Sequence, residues 1–440
     1  MKLLLKALGL LAASALLGAC LGGADSTNSS STSRVDLREA QANMVGVWST
    51  APYGPYPLGP LTQENTPLPG APELASFPGD QAVNRSFRMI INPTLGGQAV
   101  RIRLSNLMGT QPVRFENISI AKGNPLLPNI DEATQVALTV NGRDFGVAMP
   151  GQELITDVAA FEFGAQEDLA VTFHVAGESG PMTWHAVSFG PQYISPHNSG
   201  DVTDDSVGTS FQQLSVGWFF ISGLDAFNPE AKGAIVAIGD SITDGFMQVL
   251  NQRWTDRLAT RLNAQNANVA VLNQGINSNT VTNARNGFAG PPLIERFQRD
   301  VLDRAGVKAV VIFEGTNDLG ADVKAEPVIQ AYQQLIQQAR SSGLCVFMGT
   351  IPPRADVAFG WFPDGPTVKE PERQKINSWI RSTPLIDGVV DFDKVLALPG
   401  TPLPNAVLYI PDLLHPNSLG FTAMGDEVDI DAMLLRCNLN

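Results

Sequence analysis

A few residues, each just after an apolar run, carry most of the chemistry this chain offers. Ser241 stands in Gly239-Asp240-Ser241-Ile242-Thr243-Asp244-Gly245, directly after the small and apolar run 234–238. That pattern predicts a short buried strand, a tight turn and a polar segment leading into an amphipathic run. A serine on such a turn exposes its hydroxyl, and backbone N–H groups at the helix start face whatever binds there. A nucleophile needs both features: an accessible oxygen and donors for the oxyanion that forms. Taken alone, the stretch fits a glycine-rich turn with a capping serine equally well.

A serine nucleophile needs a base, and the chain has only four histidines, His174, His185, His197 and His415. His415 is the only one that follows Ser241 in the strand–helix half of the chain. Asp412 lies three residues before it, in Pro411-Asp412-Leu413-Leu414-His415-Pro416, where residues so spaced at a helix entry can face the same way. It is the candidate carboxylate for orienting the imidazole. Candidate oxyanion donors are the Ser241 N–H, the Gly275 N–H and the Asn317 side-chain amide. Each has an ordinary reading as well: Gly275 as a turn, Asn317 as a loop cap, Asp412 as a helix cap. Their joint occurrence at successive strand ends favours the chemical reading. His185, beside Trp184, reads as structural. One histidine with scattered acids lacks the spacing of a metal site, so no metal and no organic cofactor is expected.

These residues need a frame. Apolar runs at 234–238, 269–272, 307–313, 344–349 and 388–392 read as parallel strands, and 253–265, 291–304, 325–341 and 369–382 as the helices between them. Such alternation predicts a parallel sheet with helices on both faces and ligands at the carboxyl ends of its strands. The first half reads β. Val100, Ile102 and Leu104 alternate with Arg101 and Arg103, and 86–91, 113–121, 135–140, 169–175, 182–189 and 215–221 are further strand-like runs. Turn residues separate them, which suggests a sandwich or jelly roll. Residues 53–78 read as a long Pro-rich loop, and Trp48, Trp184 and Trp218 as core.

With the residues in place, a resemblance can be stated. Gly239 to Gly245, then Gly275, then Gly315-Thr316-Asn317-Asp318, then Asp412 to Pro416 resemble, in order, the four blocks of the SGNH (GDSL) hydrolase superfamily. The resemblance implies a three-layer α/β domain over 231–440, with Ser241 as nucleophile, His415 as base and Asp412 as its partner. It also implies Gly275, Asn317 and the Ser241 amide as the oxyanion hole. The second block reads Gly275-Ile276-Asn277-Ser278-Asn279, where more glycine is expected after Ile276. Gly46-Val47-Trp48 and the runs 85–97 and 100–106 resemble the N-terminal β-domain of large secreted esterases of this group, implying an all-β sandwich or jelly-roll-like domain over 40–230.

The chain has 440 residues and a formal charge of −14, which argues against nucleic acid as a partner. Lys2, Lys6 and the apolar run 7–17 read as a secretory signal over 1–19. Leu17-Gly18-Ala19-Cys20 resembles a bacterial lipobox, which implies lipid attachment at Cys20. Leu21 in the next position implies sorting to the outer membrane. Ordinary cleavage after Ala19 is the alternative. Residues 20–39 are expected to be a tether, so that the membrane is met through the lipid only. Cys345 and Cys437 are free to pair in an oxidising compartment or to remain thiols. Residues 351–371, with Phe359, Trp361 and Phe362, read as a rim of the acyl or sugar pocket. The expected activity is hydrolysis of a carboxylic ester through an acyl-enzyme. The substrate class is a small-molecule or polysaccharide ester, foremost an O-acetylated carbohydrate. The rivals are a lipase or phospholipase and a glycan-binding lipoprotein with a vestigial hydrolase domain.

Overall fold

The computed structural model describes residues 35–59, 73–188, 190–248, 250–285, 289–355 and 369–440. The signal, Cys20 and most of the tether lie outside the described residues, as do Phe359, Trp361 and Phe362.

Seven small or β-branched residues, Gly233–Gly239, are all buried and form an interior strand of the parallel sheet, second from its edge. Around it the parallel strands run in the order Val269–Gly275, Gly233–Gly239, Val307–Phe313, Cys345–Gly349, Gly388–Val390. All five expected strands are there. The last stops at Val390 because the Asp391 side chain turns back to cap the helix Phe392–Leu396. Alternate residues of Gly233–Gly239 go to opposite faces, as a strand requires. Ala234, Val236 and Ile238 enter one core, with Val328, Leu335 and Ile336 of the helix Ala325–Ser341. Ile235 and Ala237 enter the other, with Trp254, Leu258 and Leu262 of Trp254–Ala264 and Met424 of Ser418–Glu427.

The first half is built from antiparallel sheets. One centres on Gln81–Ile91, Leu169–Pro181 and Val113–Asn124, and the other on Val45–Ser49, Ile221–Phe227 and Gly97–Ser105. Phe87, Phe115 and Phe173 from the first meet Ile102, Leu104 and Leu224 from the second in one core. Trp48 and Trp218 are buried there edge to face, 5.3 Å between centroids, and Trp184 is buried beside them.

Three expectations are corrected here. The run 135–140 forms strand only at Val136–Ala137. The segment 53–78 is not all loop: Tyr53 is buried, and Gly54–Pro55 pairs with Thr183–His185. Arg103 is buried rather than on a solvent face, because Asp225 on the neighbouring strand sits 2.9 Å from it and 2.8 Å from Arg101.

Residues 35–440 cluster as one unit. The core of the β half runs without a break into one face of the parallel sheet. Thr94 covers the edge strand Val269–Gly275, its hydroxyl 2.9 Å from the Val271 N–H and 3.0 Å from its carbonyl.

Cys345 and Cys437 form a disulfide, with Cα atoms 5.3 Å apart and a sequence separation of 92. It ties the C-terminal helix Ile430–Arg436 to the sheet. Closing a loop of that length stabilises chiefly by restricting the unfolded chain. Cys345→Ser should therefore cost about 2–5 kcal/mol. Thermal unfolding with and without reductant checks this: reduced wild type should match the variant.

Candidate active site

The strand from Gly233 ends at Gly239, and the chain turns at Asp240, whose carboxylate accepts from the Ile242 N–H at 2.9 Å. That cap starts a single helical turn, Ser241–Asp244, with Ser241 as its first residue. Gly245, at φ 100°, ends it in the left-handed region that favours glycine. Ser241 thus stands at a strand's carboxyl end, 5% exposed, with its own N–H unbonded among the described residues.

Ser241 Oγ lies 2.9 Å from His415 Nε2, and His415 Nδ1 lies 2.6 Å from Asp412 Oδ2. The other Asp412 oxygen accepts from the Leu414 and His415 N–H groups, both at 2.9 Å, so the three-residue spacing folds into a tight carboxylate-capped turn. Burial alone would raise the Asp412 pKa. The hydrogen bond and charge of His415, with the two backbone N–H groups, outweigh it and hold the carboxyl below its usual range. An ionised Asp412 keeps the proton on His415 Nδ1 and leaves Nε2 to accept from the serine hydroxyl. The Phe246 ring packs on the imidazole, with centroids 4.2 Å apart.

Asn317 sits in the short helix Thr316–Gly320 at the end of the next strand. Its Nδ2 donates to the Asn279 carbonyl at 2.9 Å, which fixes the amide and leaves its second N–H for a ligand.

Gly275 does not have the role expected of it. Its N–H already donates to Asn273 Oδ1 at 2.9 Å, and it pairs in register with Gly239 inside the sheet. Its lack of a side chain serves close packing instead. A β-carbon there would lie 2.1 Å from the Asp244 backbone nitrogen, so only glycine lets the nucleophile turn sit against this strand. The free donor lies three residues on. Residues 276–279 form a turn closed by Asn279 N–H to Ile276 carbonyl at 3.1 Å, with Ser278 at φ 64°. The Ser278 N–H makes no hydrogen bond among the described residues. A turn with a left-handed third residue calls for glycine. The glycine missing after Ile276 was the sequence signal for this position. The donor set offered by the geometry is therefore the N–H groups of Ser241 and Ser278 with the Asn317 amide.

Two residues beneath the site went unrecognised in the sequence. Asp318 holds the segment after the turn through the Val281 N–H at 2.8 Å and the Thr282 N–H at 3.0 Å. Arg296, 1% exposed, reaches the Gly239 carbonyl at 2.9 Å and the Gln274 carbonyl at 2.7 Å. Burial pushes the Asp240 pKa up to about 7, against the Ile242 hydrogen bond and the Arg354 charge. Among the described residues no cluster of His, Cys, Asp or Glu could hold a metal ion.

A parallel sheet with hydrogen-bonded Ser, His and Asp at the carboxyl end of its strands defines a serine hydrolase. Residues 237–423 match the model of the GDSL-like Lipase/Acylhydrolase family, and this stretch is a domain of that family. The chain is a serine enzyme acting on ester bonds. No curated protein matches it. Among solved structures it is similar to a lipolytic protein of the G-D-S-L family from Desulfitobacterium hafniense DCB-2 (24% identity, TM-score 0.34, covering 44% of this chain and 96% of that one). It is also similar to a carbohydrate acetylesterase from Sinorhizobium meliloti (17% identity, TM-score 0.38, 46% and 99% covered). A third is an aryl esterase from M. smegmatis (20% identity, TM-score 0.37, 46% and 98% covered).

The revised donor set makes opposite predictions for two neighbouring positions. Ser278→Gly keeps the N–H and relieves the left-handed serine. It should add about 1 kcal/mol to stability and leave kcat unchanged. Gly275→Ala must displace the nucleophile turn and should lower both Tm and kcat. Asn317→Ala should lower kcat by roughly 10²–10³-fold with a smaller change in KM. A loss carried wholly by KM would assign Asn317 to substrate binding instead.

Proposed function

We propose that this chain is an exported esterase that removes short acyl groups, foremost O-acetyl, from carbohydrate. Ser241 attacks the ester carbonyl as His415 Nε2 takes its proton. The oxyanion is received by the Ser241 and Ser278 N–H groups and the Asn317 amide. His415 then returns the proton to the leaving alcohol, and a water repeats the sequence on the acyl-enzyme. The observation that carries this reading is the Ser241–His415–Asp412 relay at 2.9 and 2.6 Å. An intact relay speaks against a vestigial domain.

Two further observations support the finer reading. The Phe246 ring packs on His415, next to where the ester must sit. A groove of about 420 Å³ lies where the β half meets the catalytic half, lined by Tyr53, Pro55, Leu58, Met108, Asn283 and Glu295. Apolar walls with a few polar groups suit a sugar ring. The lipase reading has its own support. Met247 and Leu419 are 59% and 61% exposed, on segments joined by the Ser418–Gln248 hydrogen bond, and such lips suit a lipid. A series of p-nitrophenyl esters decides between them. The deacetylase requires the highest kcat/KM at acetyl and a fall with each lengthening, together with acetate release from acetylated xylan. A long-chain optimum would establish the lipase.

Ser241→Ala and His415→Ala should each remove at least roughly 10³-fold of the activity, and the double variant little more, because the two act as one unit. A fluorophosphonate should label Ser241. A His415→Ala variant with wild-type turnover would overturn the mechanism.

The disulfide supports export, since such bonds persist in oxidising compartments. Among the described residues no helix is long and apolar enough to cross a membrane. We place the mature chain at the outer membrane through a lipid on Cys20. Cys20→Ser should shift the protein from the membrane fraction to the soluble one or block its processing. An unlipidated wild type would refute the anchor.

A further inference from the structure

The nucleophile turn Ser241–Asp244 has four residues, too few to hold an orientation by internal bonds. Asp240 fixes its start, and its end is fixed from the β half. Asp244 Oδ1 lies 3.1 Å from His185 Nε2, and His185 Nδ1 lies 2.8 Å from the Ala51 carbonyl. Both side chains are buried, at 2% and 4% exposure. Burial opposes the charged imidazole. The Asp244 charge and the hydrogen bonds to Asp244 and Ala51 outweigh it, so the His185 pKa lies above its ordinary value. A carbonyl and a carboxylate oxygen both accept, so the contacts call for a ring that donates from both nitrogens, one to each half of the molecule.

A second contact starts two residues further along the same piece of chain. The Tyr53 N–H donates to the Trp184 carbonyl at 2.8 Å, locking Tyr53 beside His185. Its hydroxyl, at 3.4 Å, makes a long hydrogen bond to the Asn277 carbonyl. That carbonyl and the Ser278 N–H belong to one planar peptide, so holding the oxygen aims the N–H the opposite way. The Asn277 side chain has no partner among the described residues, so it does not brace the peptide. Ser49, on the adjoining strand, accepts from Gln274 Nε2 at 2.8 Å and fixes the strand end just before the turn.

We infer that His185 and Tyr53 are positioning residues for ester hydrolysis: His185 sets the nucleophile turn through Asp244, and Tyr53 aims the Ser278 N–H through the Asn277 peptide. The β half is then part of the catalytic frame even where substrate never touches it. This inference rests on the serine-esterase reading above.

The test uses the full chain and p-nitrophenyl acetate, a substrate too small to need an extended wall. Tyr53→Phe removes one hydroxyl and leaves the packing. It should lower kcat roughly 3–30-fold with KM within about twofold and Tm nearly unchanged. At position 185, glutamine places its amide near Nε2 and asparagine near Nδ1. His185→Gln should keep most of the wild-type kcat, and His185→Asn should lose roughly tenfold or more. Wild-type kcat in folded Tyr53→Phe, or equal losses in Gln and Asn, would overturn the inference. So would an effect confined to KM. Wild type that neither turns over nor labels at Ser241 would sink the esterase reading itself, a result distinct from all of these.

Discussion

One buried guanidinium holds the catalytic half together. Arg296 projects from the short helix Leu293–Phe297 beneath the floor of the site. Its Nη2 donates to the Gly239 carbonyl, the last of the nucleophile strand, and its Nη1 to the Gln274 carbonyl on the neighbouring strand. Its Nε donates at 3.0 Å to Asn279 Oδ1, the residue that closes the oxyanion turn. Three segments that must keep a fixed spacing thus share one rigid planar donor, a geometry lysine could not supply. A burial this complete needs a counter-charge. Asp300 provides it at 3.1 Å, one turn along, where the backbone widens into the π-helical turn Gln298–Leu302. Wide turns of this kind recur at functional sites.

The same guanidinium acts unequally on the acids around it. Asp300 is shared with Arg299, and these two arginines hold its carboxyl below the usual range against the effect of burial. Glu314 has the opposite fate. Arg296 is 3.6 Å away, too far for a hydrogen bond, and burial with the nearby Asp240 and Asp318 charges pushes its pKa well up. The raised Glu314 pKa favours its neutral form, and so less negative charge near the site where an oxyanion must form. The floor of the site is therefore not a uniform acidic patch. Arginines hold the Asp300 pKa down, while burial raises those of Asp240, Glu314 and Asp318.

Legibility in the sequence followed the range of the interaction involved. The strand Gly233–Gly239 and the helix Ala325–Ser341 were readable because burial imposes its period on the residues themselves. Ser241, His415 and Asp412 were readable because chemistry restricts residue type and histidine is scarce here. Gly275 was placed correctly in space and given the wrong task. A glycine can serve a backbone donor or a close contact, and only the 2.1 Å approach of the Asp244 nitrogen separates the two. Ser278 was hidden because its contribution is a backbone N–H, which every residue but proline carries. Arg296 was hidden because two of its four hydrogen-bond partners are backbone carbonyls, which leave no mark on sequence. The β half was read as a run of strands, but its pairings join distant segments, such as Gly54–Pro55 with Thr183–His185, and local pattern does not encode them.

The left-handed serine and the bracing from the β half are two sides of one problem. A glycine at 278 would take φ 64° without strain. Serine there carries strain of about 1–2 kcal/mol and persists only where its surroundings over-determine the conformation. The surroundings are specific: Arg296 on Asn279, Asn317 on the Asn279 carbonyl, Tyr53 on the Asn277 carbonyl. Each holds the turn from a different direction, and one of the three comes from the β half. An oxyanion donor works by being in place before charge develops, so its rigidity is part of the chemistry. In this chain part of that rigidity is supplied from the β half, whose core runs into one face of the parallel sheet.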